Sequence, residues 1–275
     1  MKLMALIILY NPDSNALNNV KRLVESKYYN LVYVLDNSNN DNLIKEDNHV
    51  IYKCYHKNMG IAYALKDGLN YSLVNNYDYC LTLDQDSIFP FEKMGDILPH
   101  LEKHLCLNTG IVALNYNDKY KSKKDEMYLK MIITSGNFIN IKNYKEIDGF
   151  NEELFIDYVD YDLCRQFYYK KKKIVVLTNI SIKQKIGNPI YKRILFFKLK
   201  SMNASTIRYY YRFRNLLYCY KNNKKFFFKN LIKENITILI MRLVEDNKKE
   251  KLQMIKKGKK DGKKGLLGPF VDNHD

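Results

Sequence analysis

Asp84-Gln85-Asp86-Ser87 places two carboxylates one residue apart, directly after the apolar run Tyr79-Cys80-Leu81-Thr82-Leu83. Two hard oxygen ligands so spaced suit Mg²⁺ or Mn²⁺ carrying a diphosphate. A second acidic group, Asp157, Asp160 and Asp162, crowds one short stretch further on. Three like charges that close repel one another, which points to a cation or to a functional need. Both groups have plainer readings as well. Asp86-Ser87 can cap a following helix, one of the later three can cap another, and Asp157 and Asp160 share a helix face if their segment is helical.

Such groups need elements to hold them. Tyr79–Leu83 is short, apolar and β-prone, and reads as a buried parallel strand. Leu3–Leu9 and Leu31–Leu35 read the same way, with polar tips at Tyr10-Asn11-Pro12-Asp13 and Asp36-Asn37-Ser38. Asp13 or Ser14 can cap the helix carrying Leu17, Val20, Leu23 and Val24. Val50–Cys54 is a third, short strand, and Asn58-Met59-Gly60 opens a helix through Leu69. This order predicts an α/β fold with a mostly parallel sheet covered by helices. The tips after the first, second and fourth strands then share one sheet edge, where ligands of open α/β sheets bind. P-loop and GxGxxG fingerprints are absent from the sequence.

Phe91–Leu105 predicts a helix, Gly110–Asn115 a strand and Asp118–Glu126 a polar loop. Met131–Ile141 reads as strand, small-residue break at Ser135-Gly136, strand. Gly136 allows either close approach of a ligand or a bulge. Ile174–Leu177 is a strand leading into Gln184-Lys185-Ile186-Gly187. Thr206–Tyr220, Phe226–Val244 and Lys248–Lys260 predict helices. The boundary between a catalytic region, 1–190, and a basic helical region, 191–275, is set by this change of character.

The net charge of +16 is unevenly placed. Residues 1–169 hold 18 Lys and Arg against 23 Asp and Glu, a net of −5; residues 170–275 hold 28 against 7, a net of +21. A basic surface facing anionic lipid or nucleic acid would follow, or a merely solvated Lys-rich tail. Nucleic-acid binding fits poorly with carboxylates at the strand tips, which repel phosphates unless a metal intervenes. The five cysteines, at 54, 80, 106, 164 and 219, show neither metal-type nor disulfide-type spacing. Reduced thiols and a cytoplasmic setting are expected. The run Leu3–Leu9 is too short for a signal-peptide core, and no run reaches the length of a membrane span.

The ordered set Leu9-Tyr10-Asn11-Pro12, Asp36-Asn37-Ser38, Asn58-Met59-Gly60-Ile61-Ala62, Asp84-Gln85-Asp86-Ser87, Thr134-Ser135-Gly136, Gly149-Phe150, Phe155 to Asp162, Arg208-Tyr209-Tyr210 and Arg214-Asn215 resembles family 2 of the glycosyltransferases, which have the GT-A fold. The Asp-Gln-Asp-Ser form is similar to that of bacterial rhamnosyltransferases. The resemblance runs from residue 3 to about residue 220.

It implies an inverting, metal-dependent transfer of L-rhamnose from dTDP-rhamnose to a glycan or lipid-linked acceptor. A UDP-sugar donor, a hexose or galactofuranose, is the alternative. Implied donor-site residues are Tyr10, Asn11 and Pro12 around base and ribose, Asp36 on the base, Asp84 near the ribose, and Asn58, Gly60, Gln85, Ser135 and Gly136 along the donor. Asp86 would hold the divalent metal, with Gln184 as a further candidate ligand. Asp160 matches the catalytic base, and Arg208 and Arg214 match basic positions near the diphosphate or acceptor. The expected partners are a nucleotide sugar, a glycan or lipid-linked acceptor, and anionic membrane met peripherally at the inner face, without nucleic acid. Three residues depart from the family pattern: Gln184 where His is frequent, Gln166 with Arg165 one place early, and Asp67 where Asn is usual.

Overall fold

A computed structural model of the chain describes residues 1–42, 44–184, 187, 189–194 and 196–271. The stretch from Gln184 to Gly187 includes Lys185 and Ile186, which lie outside the described residues. The elements in order are β1 (Leu3–Leu9), α1 (Ser14–Glu25), β2 (Leu31–Asp36), β3 (Val50–Cys54), α2 (Ile61–Val74), β4 (Tyr79–Asp84), β5 (Ser87–Ile88), α3 (Met94–Leu105), β6 (Thr109–Tyr116), β7 (Glu126–Leu129), β8 (Asn137–Asn140), α4 (Ile141–Tyr144), α5 (Val159–Tyr169), β9 (Lys173–Gln184), β10 (Ile190–Ile194), β11 (Phe197–Ser201), α6 (Thr206–Asn222), α7 (Lys224–Val244) and α8 (Lys248–Lys264). Single-turn 3₁₀ segments stand at Phe91–Lys93 and Glu152–Leu154.

The chain divides into two compact units. The first is Met1–Glu152 with Asp160–Lys185; the second is Glu153–Val159 with Ile186–Asp275. The first holds a nine-stranded sheet in the order β3-β2-β1-β4-β8-β6-β9-β5, with β7 also on β9. β3, β2, β1 and β4 run parallel, β8 runs antiparallel between β4 and β6, and β9 is parallel to β6. β1 and β2 are buried along their whole length, as apolar strands covered on both faces must be. α1 lays Ala16, Val20 and Leu23 against the core, and Asp13 caps it by accepting from Ala16 N at 2.8 Å.

The structure departs from the predicted elements in three places of the first unit. Only the second half of Met131–Ile141 is a strand. The carbonyls of the first half are taken by side chains instead of a ladder: Thr82 Oγ1 donates to Thr134 O at 2.7 Å and Asn137 Nδ2 to Ile133 O at 2.7 Å. β7 begins at Glu126, where the polar loop was expected to end, because β9 extends to twelve residues and offers it an edge. The helix of the acidic stretch begins at Val159, so Asp157 precedes it, in the left-handed region at φ 64°. Asp157 and Asp160 therefore do not share a helix face.

The second unit is the hairpin β10–β11 and three helices. α8 is rich in lysine, and its approach to α6 depends on glycine. A Cβ at Gly258 would meet Tyr210 O, and one at Gly262 would meet Arg214 O, closer than real Cβ contacts come. The segment 153–159, expected within the first region, groups with this unit. Asn215 Nδ2 binds the carbonyls of Leu154, Ile156 and Asp157 at 2.8–2.9 Å. No described helix is long and apolar enough to cross a membrane.

Candidate active site

Parallel strands in register end together. Leu9 pairs with Asp36 and Ile8 with Asp84, so the polar residues after β1, β2 and β4 meet at one edge of the first unit. Tyr10 N donates to Gln85 Oε1 at 2.8 Å and Tyr10 O accepts from Gln85 Nε2 at 3.3 Å. Asn11, at φ 44°, donates its N–H to Ser38 Oγ at 2.8 Å. Asn19 of α1 fixes the carbonyl of Gln85 at 2.9 Å. The tips after β1 and β4 are thus tied to each other, and the β1 tip to the β2 loop, with Pro12 leading into α1.

Asp36 is fully buried. Its Oδ1 accepts from Ser38 N at 2.8 Å; its Oδ2 accepts from Asn42 Nδ2 at 2.5 Å and Tyr52 OH at 2.9 Å. Burial, and then this carboxylate, push the Tyr52 hydroxyl well above its ordinary range. Asn37 spans the next turn, accepting from Met59 N at 3.1 Å, while Asn58 Oδ1 accepts from Gly60 N at 2.9 Å. Gly60 sits at φ 83° before α2, a conformation open to glycine. Asp67 of α2, at a position departing from the family pattern, is engaged by Lys53 Nζ at 2.7 Å and Tyr55 OH at 2.6 Å.

The acidic motif is held by β8 and β9. Ser135 Oγ accepts from Asp84 N at 3.1 Å and lies 2.6 Å from Ser87 Oγ. Gln184 stands opposite Ser87 on β9. Its Nε2 donates both to Asp84 Oδ2 at 2.8 Å and to Asp86 Oδ1 at 2.7 Å. One neutral amide thus bridges two carboxylates. Asp86 remains above the ordinary carboxyl range, raised by desolvation and by Asp13 and only partly lowered by the Gln184 hydrogen bond. Tyr116, at the end of β6, is pushed up to about 12 by burial and then by Asp86 and Asp84. Asn117 holds Gln184 in place by two hydrogen bonds, to its carbonyl at 2.9 Å and from its N–H at 3.1 Å.

This donor set fits a hard divalent cation. Two carboxylates converge on the same donor, and carboxylate oxygens suit such an ion. Gln184 aims its NH₂ rather than its amide oxygen at the pair, so it would have to turn over to serve as a ligand. A separate group, Asp41, Cys54 and His56, also brings one ligand atom each within 4.8 Å of the others.

The remaining predicted residues fall elsewhere. Gly136 sits at φ 81°, and a Cβ there would meet Ile182 Cγ2 at 2.9 Å. Its lack of a side chain makes room for Ile182 and the turn that carries Ser135. Asp160 lies in the first turn of α5 and accepts from Tyr161 N at 2.9 Å; negative charge is favourable at that helix end. Asp162 is buried and takes Arg165 Nε at 2.8 Å and Gln166 Nε2 at 3.1 Å. In the second unit, Arg208 clamps Asp157 through two hydrogen bonds at 2.7 and 2.8 Å. Arg214 is 1% exposed and spends its guanidinium on the carbonyls of Gly268, Glu153 and Leu154 and on Asn215 Oδ1. These bonds anchor the 153–159 segment.

Tyr116, Asn117, Asn19, Asn42 and Tyr52 were not singled out from the sequence, and Ser87 was read only as a possible helix cap and part of the acidic motif. Ser87 closes the acidic motif and Tyr116 ends a strand at the ligand edge, both readable signals. The others arrive by tertiary contact alone.

The model of "Glycosyl transferase family 2" matches residues 5–170. Over 289 aligned residues, which cover 96% of each chain, this chain is 25% identical to the dTDP-rhamnosyl transferase RfbF of Shigella flexneri. Among solved structures it superposes on GalNAc-T7 with UDP, GalNAc and Mn²⁺ at a TM-score of 0.56 and 11% identity, covering 66% of this chain and 43% of that one. It also matches S. aureus TarS at a TM-score of 0.49 and 16% identity, covering 68% and 37%. The likeness to GalNAc-T7 is one of fold, the GT-A arrangement of a mostly parallel sheet flanked by helices.

Proposed function

The chain belongs to glycosyl transferase family 2, and from that premise we propose that it moves L-rhamnose from dTDP-rhamnose to a glycan or lipid-linked acceptor, with inversion at the anomeric carbon. The observation that carries the donor is the end-to-end similarity to a dTDP-rhamnosyl transferase.

In this reading the pyrimidine lies against the β1 and β2 tips. Asp36 already accepts three donors of the about four that a carboxylate can hold. The base's imide N–H takes the place of the Asn42 amide, donor for donor. Thymine and uracil both carry that N–H, so Asp36 selects a pyrimidine rather than one of the two. Tyr10, Asn11 and Pro12 enclose base and ribose, and Asp84 lies near the ribose.

Asp86, with Gln184 turned over, would hold Mg²⁺ or Mn²⁺. The ion supplies positive charge to the leaving diphosphate. Asp160 takes the proton of the acceptor hydroxyl as its oxygen bonds to the anomeric carbon. The bond from that carbon to the diphosphate oxygen breaks, and its electron pair leaves with the nucleoside diphosphate. The proton on Asp160 then passes to water. Asp157 and Asp162 serve structure, each bound to an arginine. The basic C-terminal region keeps the enzyme on the inner face of the cell membrane, beside a lipid-linked acceptor.

A thermal-shift panel tests the donor. Ligands that bind only the folded state raise the melting temperature. With Mn²⁺ present, dTDP-rhamnose is expected to raise it more than UDP-glucose or UDP-galactofuranose does. A larger shift with a UDP-sugar would replace the donor and leave the family intact.

A further inference from the structure

α7 carries two apolar faces, and among the described residues only one of them is covered by protein. Phe226, Phe227, Met241 and Val244 are buried. Phe228, Ile232, Ile236, Leu239 and Leu243 are 53, 47, 53, 57 and 39% exposed. At about 100° and about 1.5 Å per residue, these five fall within an arc of roughly 80° and run for about 22 Å. A continuous exposed apolar stripe of this kind marks an interaction surface.

The charges around the stripe say what covers it. Lys224, Lys225, Lys229, Lys233 and Arg242 of the same helix are all exposed. The helix's single acid, Glu234, is turned inward and buried, bound to Arg212 Nε at 2.7 Å and Tyr158 OH at 3.2 Å. Every exposed charge on α7 is therefore positive. The hairpin β10–β11, which packs beside α7, adds Phe196, 90% exposed at its turn, and exposed Lys192, Arg193, Lys198 and Lys200. A second copy of the chain laid on this face would set one basic rim against another. An anionic bilayer complements both features: aliphatic side chains enter the acyl boundary while lysines reach back to the headgroups.

We propose that the outward stripe of α7, with the Phe196 hairpin turn, is the face that docks on anionic phospholipid membrane. This rests on the reading that the enzyme works at a membrane and not on which sugar it transfers. The sequence suggested a broader surface of exposed Phe and Tyr across residues 190–265. The structure buries Tyr209, Tyr210 and Tyr211 and keeps Phe196 and Phe228 exposed beside the aliphatic residues of α7.

Flotation of the full-length protein with vesicles tests the proposal. The protein should float with phosphatidylcholine–phosphatidylglycerol vesicles at low salt, float little with pure phosphatidylcholine, and be released by high salt. Ile232→Ser/Ile236→Ser/Leu239→Ser changes only solvent-facing positions and should reduce binding by more than about tenfold. Lys225→Ala/Lys229→Ala/Arg242→Ala should weaken it by on the order of fivefold per residue. Lys256→Ala/Lys260→Ala, on exposed positions of α8, should cost far less than an equal charge loss on α7. Unchanged melting temperatures show that the variants fold, and transfer to a soluble acceptor should survive in all of them. Equal binding by the Ser variant and wild type, or no binding by wild type, overturns the proposal. So does a wild-type dimer in light scattering that the Ser variant alone dissolves, because the stripe is then a subunit interface.

Discussion

Two acidic groups carry the chemistry suggested by the sequence, and the structure neutralises them in opposite ways. Asp157 and Asp162 each face an arginine, at 2.7–2.8 Å. Asp84 and Asp86 share one neutral amide. Clustered aspartates alone do not mark a cation site; the partner does. Where arginine is supplied, the charge is spent on holding a helix start and a loop. Where a side-chain amide bridges two carboxylates, desolvation and Asp13 hold Asp86 above its ordinary value. Asp160 lies between the two arginine-bound residues in sequence, accepts from Tyr161 N at 2.9 Å, and is the base in the proposed mechanism.

The largest expected effect separates Asp160 from its neighbours. Asp160→Asn should lower turnover by on the order of 10²–10⁴ while donor affinity stays near wild type, because a base acts in the transition state. Asp157→Asn should retain most of its turnover. Single-turnover kinetics combined with donor titration reads both; an active Asp160→Asn beside a dead Asp157→Asn would move the base three residues upstream.

A smaller effect distinguishes the two groups by sign. Asp157→Asn and Asp162→Asn each remove a charged hydrogen-bonded pair and should cost about 1–2 kcal/mol. Asp86→Asn should behave differently in metal-free protein. A carboxyl held above its ordinary value of 3.8 binds its proton more tightly folded than unfolded. It therefore subtracts stability as pH rises through that value toward the raised one. Asp86→Asn removes this cost, so its melting temperature without metal should equal or exceed wild type, and added Mn²⁺ should no longer raise it. Melting curves of the three variants with chelator and with Mn²⁺ decide; a destabilised Asp86→Asn in chelator would place both acidic groups in one structural class.

The smallest effect concerns the bridging amide. A neutral oxygen is a poorer ligand for Mn²⁺ than imidazole, so Mg²⁺ should support turnover nearly as well as Mn²⁺. Gln184→His should raise the Mn²⁺ preference by several-fold, toward about tenfold. Strong Mn²⁺ preference in wild type that persists in Gln184→Ala would remove Gln184 from the metal site.

Much of the first unit was legible because its signals are local. β1, β2 and β4 are apolar runs ended by polar tips, and both a buried strand and a strand end can be read from a few adjacent residues. Asp13 as a helix cap, Gly60 before α2 and the Asp84–Asp86 pair belong to the same class. Parallel register then follows from topology and carries Asp36, Asp84 and Tyr10 to one edge. The order of motifs along the chain was enough for the family.

Tertiary structure alone decided which partner each charged residue meets. Arg208 and Asp157 are 51 residues apart, Gln184 and Asp84 100 apart, and no periodicity encodes such pairings. Arg214 is buried and turned to backbone carbonyls, because a buried guanidinium must find acceptors for its donors. Residues 131–135 have strand composition, but side chains took the carbonyls of Ile132, Ile133 and Thr134 that a ladder would have used. The two sides of α7 are equally apolar in sequence, so the pattern could not tell the packed face from the open one. Only the packing of Phe226, Phe227 and Met241 against the rest of their own unit left Phe228, Ile232, Ile236, Leu239 and Leu243 facing outward.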